Sequence, residues 1–302
     1  MENSPIIKNT LNNLYDIHGN IIVKSDEEIT EELLEQIANN SYNPGPQISL
    51  SRSSIIKDIS TALRKGIYDT IFADKKSSKK VIDVVKHTSF NKSIVEELEK
   101  IKETQPLTYD HILTVAALSI KISLDLAGEG LDPLKIAEIS LAHDLGKSRI
   151  PLTILQKSTP LTHAEFNAIQ SHPVIEYLLL SSYLKNSHAL IAEATFSHHE
   201  RLDGTGYPRG ISKLNNYTQA LIPCDIFDAL VSYRPYRNES FSIRAALDLL
   251  LEQARKGKIS KKFVICLLSY CRKDKPPINN IIISAENRDA PPAVNYYGVR
   301  AD

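Results

Sequence analysis

The sequence predicts a mainly α protein: a helical bundle preceded by a small N-terminal α+β domain. Two observations carry this. From Val81 onward apolar residues recur at helical spacing in stretch after stretch, and strand-like runs almost vanish there after appearing near the N-terminus. A chain of 302 residues, 42% of them apolar, also has room for one large domain with a smaller partner and can bury a core.

Taken in order, "LNNLYDIHGNIIVK" from Leu11 to Lys24 has two strand-forming runs around "HGN" and reads as a hairpin. Thr30 is placed to cap a helix over "EELLEQIA", and "NNSYNPGPQ" breaks the chain before another helical stretch near Ser53 to Gly66. The charged, serine-rich "ADKKSSKK" from Ala73 to Lys80 reads as a solvated linker, which sets the boundary between residues 1–80, a regulatory or packing domain, and residues 81–275. Helical patterns follow in "NKSIVEELEKIKE", "HILTVAALSIKISLDLAG", "PLKIAEISLAHDLG", "HAEFNAIQSHPVIEYLLL", "TQALIPCDIFDALVS", "IRAALDLLLEQARKG" and "KKFVICLLSYC". Residues 276–302 are proline-rich and read as an extended tail.

Thirty-six basic residues balance 36 acidic ones, so no whole-molecule field draws the chain to DNA, RNA or an anionic membrane. An anionic ligand has to be caught locally. The three cysteines, Cys224, Cys266 and Cys271, lie in apolar stretches and match no zinc-ribbon spacing, which favours reduced thiols and a cytoplasmic location. No signal peptide or membrane span is expected, since the longest apolar stretch is cut by Lys121 and Asp125.

The chemistry sits in the histidines. His143 and Asp144 close an apolar helical run, His172 stands in "SHP", His198 and His199 are adjacent, His111 begins a long helix, and Asp225 lies among apolar neighbours. Adjacent residues on a helix point about 100° apart, so a histidine doublet suits two targets better than one buried face. Imidazole donates a neutral nitrogen, and one carboxylate can bridge two cations while easing their repulsion, which makes Asp144 the candidate bridge of a dinuclear centre. A mixed nitrogen and oxygen set without cysteine suits iron or manganese and argues against a closed structural zinc site.

The "HDLGK" run from His143, the "HP" at His172, and "HHERLDGTGYP" from His198 to Pro208 together resemble the HD-GYP branch of the HD-domain phosphohydrolases. The likeness continues through "CDIFDALVSYRPYR" and covers roughly Asn91 to Lys275. It implies an HD-domain helical bundle that hydrolyses a cyclic dinucleotide, cyclic di-GMP, to pGpG, with GMP as the product of any second cut. It also implies one metal held by His111, His143, Asp144 and Asp225 and a second held by Asp144, His172, His198 and His199, so that both members of the doublet serve one ion from a helix end. The stretch before His111 lacks the carboxylate with which some members hold a third metal, so two are expected. Leu202 stands where the family usually has tryptophan, Tyr233 replaces an acidic residue, and the segment from Gly210 to Asp225 is short, which bears on substrate fit and turnover.

Two cations about 3.5–4 Å apart can activate a shared water as a bridging hydroxide for in-line attack on phosphorus. Lys147 is then the candidate to meet charge developing on the phosphate, beside Asp144 as the catalytic carboxylate. Arg234, Arg237 and Tyr207 are candidate substrate contacts, and Glu200, Asp203 and Asp228 are candidates to orient the ligands or Lys147. Gly204 and Gly206 are expected to take positive φ in the "DGTGYP" turn. A protein partner would meet the GYP loop or the N-terminal domain. Two other functions fit the same residues: a cyclic-dinucleotide receptor or scaffold with little turnover, and a phosphohydrolase of the HD superfamily acting on another nucleotide.

Overall fold

In the computed structural model the described residues are 12–25, 27–39, 46–127, 130–184, 189–235, 237, 239–272, 274–281, 283, 289 and 291–292. Much of the expected tail, with His188, lies outside them.

The hairpin forms where expected. Strands β1, Leu14–Tyr15, and β2, Ile21–Val23, pair antiparallel, and the Asp16 carboxylate closes the turn by accepting from the backbone of His18 at 2.9 Å and Asn20 at 2.8 Å. Helix α1, Glu31–Asn39, starts at Thr30, whose hydroxyl accepts from Leu33 N at 3.2 Å. Strand β3, Gln47–Ser49, leads to α2, Ile55–Ala62, and α3, Ile67–Ile71.

The stretch expected to be a linker is instead the start of a helix, α4, Lys75–His87. Asp74 caps it, accepting from Lys76 N and Ser77 N, while Val81 and Val85, four residues apart, bury one stripe and leave the lysines in water. Lysine and serine composition alone does not betray a cap plus a two-residue apolar stripe. Residue 80 therefore falls inside α4, and β3 pairs antiparallel with β4, Ser89–Asn91, beyond it. The apolar core runs without a break from Leu14 and Ile59 to Leu267.

The bundle that follows comprises α5, Lys92–Thr104; α6, Pro106–Asp125; α7, Pro133–Ala142; α8, Leu152–Leu155; α9, His163–Gln170; α10, His172–Tyr183; α11, Ala189–Phe196; α12, Asn216–Val231; α13, Ile243–Arg255; and α14, Lys261–Cys271. Helix α6 is the axis, packed by α5, α7, α12 and α2. It is apolar all round because it is enclosed all round. Among the described helices it alone is long and apolar enough to cross a membrane, and 72% of that window is buried inside the bundle, as a core helix requires.

Candidate metal centre

The ligands expected from sequence arrive on five separate segments. His111 projects from the first turns of α6, His143 and Asp144 follow the end of α7, His172 opens α10, His198 and His199 lie in the turn after α11, and Asp225 sits in α12. All seven are buried. Gly146 explains why the "HDLGK" turn can press on α10: a Cβ there would stand 2.1 Å from His172 O and 2.9 Å from Glu176 N.

They form two groups, His111 with His143 and Asp225, and His172 with His198 and His199, the donor atoms of each group lying within 4.8 Å of one another. Asp144 stands between them. Its Oδ2 is 3.5 Å from His111 Nε2 and 3.8 Å from His143 Nε2, and its Oδ1 is 3.5 Å from His172 Nε2 and 3.9 Å from His198 Nε2. One oxygen thus faces each group. The doublet serves a single group, because α11 has ended at Phe196 and the backbone is free to turn.

The far nitrogens orient the rings. Nδ1 of His143 meets Ser140 O at 2.7 Å, Nδ1 of His172 meets Ile169 O at 2.6 Å, and Nδ1 of His198 meets Thr195 O, so each carries its proton on Nδ1 and turns a bare Nε2 lone pair inward. His172 Nε2 and His198 Nε2 face each other at 3.2 Å. With both protons committed elsewhere this contact sets lone pair against lone pair, and a cation between them removes the conflict. His143 Nε2 and Asp144 Oδ1 are buried without a hydrogen-bond partner, which costs stability unless an ion takes them up. Ligand atoms about 3 Å apart also suit a first-row ion bound at about 2 Å. The residues present fit resident cations.

Charge states agree. Burial alone would raise the Asp144 carboxyl, but Lys147 Nζ at 2.7 Å and the surrounding imidazoles hold it well below the usual carboxylate range. Asp225 is likewise held low, burial being outweighed by the His111 hydrogen bond and its neighbours. Burial, to which Lys147 and the crowding of imidazoles add, holds His172 and His199 well below the ordinary imidazole value, and burial beside His143 takes His198 to about 4. His111 moves the other way: burial and Arg234 oppose its charge, but Asp228 and Asp225 outweigh them.

A cleft of about 300 Å³ opens onto this centre, lined by Lys147, Lys157, Arg201, Arg234, Tyr207 and His199 among others. Tyr207 stacks on His199, with ring centroids 4.7 Å apart and planes 16° from parallel. Asp228 holds His111, Nδ1 to Oδ2 at 2.5 Å, and does not orient Lys147. Glu200 touches no ligand; its carboxylate accepts from the backbone of Arg209, Gly210 and Ile211 and so ties down the GYP loop.

Glu200 thus departs from its expected role, and three further expectations are corrected. Arg237 does not line the cleft: it is buried under α12, donating to the carbonyls of Ala229 and Ser232, because its position faces the open C-terminal end of that helix. Asp203 contacts no ligand and instead accepts from the backbone and hydroxyl of Thr205, shaping the loop. Gly204 has positive φ, but Gly206 does not; a Cβ at 206 would stand 2.3 Å from Glu200 Cα, so glycine is needed there for close approach. Tyr68, Thr114, Ser232 and Gln105, which support Asp228 and Lys147 by hydrogen bonds, carry no sequence motif.

A helical bundle with five imidazoles and two carboxylates buried at the floor of a basic cleft defines a metal-site protein with room for an anionic ligand. Residues 89–262 match the HD domain family. The chain belongs to that family, and its motifs place it in the HD-GYP branch. It is 32% identical over 229 residues to a cyclic di-GMP phosphodiesterase of Thermotoga maritima, covering 70% of this chain and 60% of that protein. It is 32% identical over 194 residues to the cyclic di-GMP phosphodiesterase PA4108 of Pseudomonas aeruginosa, covering 63% and 45%. With the 3'3'-cGAMP-specific phosphodiesterase 3 of Vibrio cholerae it shares 36% identity over 147 residues, covering 48% and 32%. The matched region is thus less than two thirds of each relative.

Proposed function

We propose that this chain is a metal-dependent phosphodiesterase that opens cyclic di-GMP to linear pGpG, with two divalent cations, iron or manganese, resident at Asp144. One observation carries the reading: the two oxygens of a single buried carboxylate face two separate ligand groups at the floor of a basic cleft. Cations held there supply Lewis acidity and lower the pKa of water to near neutrality.

The chain's own residues supply binding and orientation. Lys147, ion-paired to Asp144 and lining the cleft, presents positive charge to a phosphate oxygen as charge develops on it. Arg234, Arg201 and Lys157 line the same cleft and suit a ligand with two phosphates. Gln105 donates to Lys147 O at 3.0 Å and steadies the turn that carries it. A reducing, cytoplasmic setting belongs to this reading and is supported by three free thiols.

The names of the Thermotoga and Pseudomonas relatives support cyclic di-GMP as substrate. A second substrate, 3'3'-cGAMP, is favoured by the Vibrio relative, which has the higher identity over a shorter stretch. The test is to purify the chain anaerobically with iron or manganese, count bound metal, and separate the products formed from each dinucleotide. Two metals and pGpG are expected. Tight binding of cyclic di-GMP with no linear product would make the chain a receptor, and hydrolysis confined to 3'3'-cGAMP or another nucleotide would move the substrate.

A further inference from the structure

One hydroxyl of the N-terminal segment reaches the carboxylate that backs His111. Asp228 is buried on α12, and its Oδ2 accepts from His111 Nδ1 at 2.5 Å. His111 Nε2 in turn faces Asp225 Oδ1 at 3.0 Å and Asp144 Oδ2 at 3.5 Å. Three hydroxyls converge on the other oxygen of Asp228: Thr114 Oγ1 at 2.8 Å, Ser232 Oγ at 2.9 Å, and the phenol of Tyr68. Thr114 and Ser232 belong to α6 and to the end of α12, the helices that carry His111 and Asp225. Thr114 has the carbonyls of Asp110 and His111 as further acceptors, each at 3.0 Å, so it is not committed to Asp228.

Tyr68 comes from outside the bundle, on α3, and is 6% exposed. The short helix is well fixed. Ile71 and Phe72 are buried in the core, and Lys275 Nζ donates to Thr70 O at 2.8 Å at the helix end. A phenol has one proton to give, and an ionised carboxylate is the strongest class of acceptor for it. A cavity of about 360 Å³ lies against this contact, lined by Tyr68, His111, Thr114, Asp228, Tyr233 and Arg234 among others. The phenol and the carboxylate that orients His111 thus face the same space.

We propose that Tyr68 is a positioning residue of the metal centre: by hydrogen bonding to Asp228 it keeps the His111 imidazole protonated on Nδ1, with Nε2 turned toward Asp225 and Asp144. The N-terminal segment is then part of the site, and a boundary drawn at residue 80 cuts through it. This rests on the two-cation reading above. Removing an outer partner of a metal-bound histidine weakens metal binding about 10- to 100-fold.

Tyr68→Phe removes one oxygen and keeps the ring. The full chain, stripped of metal and titrated anaerobically with manganese, is expected to take up two equivalents; in Tyr68→Phe one is unchanged and the other is weaker, by less than the roughly 10- to 100-fold expected of Asp228→Asn, which alters the direct partner of His111. Added to Asp228→Asn, Tyr68→Phe is expected to weaken that equivalent no further, because the two act in series. Melting of the metal-stripped Tyr68→Phe chain is expected to fall only by the few degrees that one buried hydrogen bond is worth. Two equivalents at parental affinity in Tyr68→Phe would overturn the assignment. A loss that adds to that of Asp228→Asn would make Tyr68 a packing residue. A parent chain that binds one equivalent overturns the two-cation reading, and Tyr68 then stands or falls on whether its change to Phe weakens that one.

Discussion

The two ligand groups that share Asp144 are built from different chemistry. His111, His143 and Asp225 include a carboxylate of their own, and His111 is backed by the carboxylate of Asp228. His172, His198 and His199 are all imidazole; the first two are backed by backbone carbonyls and the third by the face of Tyr207. A backing carboxylate raises the basicity of the ring it holds more than a neutral carbonyl does, and an added anion among the ligands deepens the attraction for a cation. The first group should hold its ion more tightly. The second also adjoins the GYP loop, so it is the group that loop movement would loosen.

The largest expected effect removes the difference altogether. Asp144→Ala takes the shared oxygens from both groups, so bound metal should vanish from both and turnover should fall by at least about three orders of magnitude. Metal analysis beside a product assay checks this, and a variant that kept two metals would show that the groups do not depend on the bridge. Next, Lys147→Ala should keep both metals and slow the chemical step by about 10²–10³, since Lys147 lines the cleft and touches Asp144 only at Oδ2. Unchanged single-turnover rates would remove it from the mechanism.

Chelator titration compares the groups directly. His199→Ala should cost the second group at least about 10- to 100-fold in affinity and leave the first as it was, whereas Asp225→Asn should strip the first. Loss of the first group's ion before the second's in the unmodified chain would reverse the ranking. The smallest effect is expected at Tyr207. Replacing it with Ala forfeits a ring stack of about 0.5–1.5 kcal/mol, roughly two- to tenfold in affinity at the second group, while Tyr207→Phe, which keeps the ring, should lose less. Equal losses in the two variants would assign the effect to the hydroxyl.

How far the chain can be read depends on where each constraint acts. The long helices of the bundle are legible because their apolar spacing is local, and the ligands because few jobs require a histidine doublet, an "HD" pair at the end of an apolar run, and an aspartate amid apolar neighbours. The start of α4 was hidden, since "KKSSKK" reads as solvated whether or not Asp74 caps a helix there. Arg237 follows Arg234 in one basic motif, yet one lines the cleft and the other is buried against carbonyls, a choice made by the direction of the chain after α12.

By itself the sequence singled out the side chains suited to hold metal, put them on or beside helices, and made Asp144 the candidate bridge. The family resemblance already implied that His198 and His199 serve one group; only the tertiary structure decided that each oxygen of Asp144 faces a different group and that Tyr68 stands behind Asp228. The reason is physical: a residue's affinity for a cation and its helical periodicity are local properties, whereas hydrogen bonds between residues as distant as 68 and 228 exist only once packing has brought them within reach.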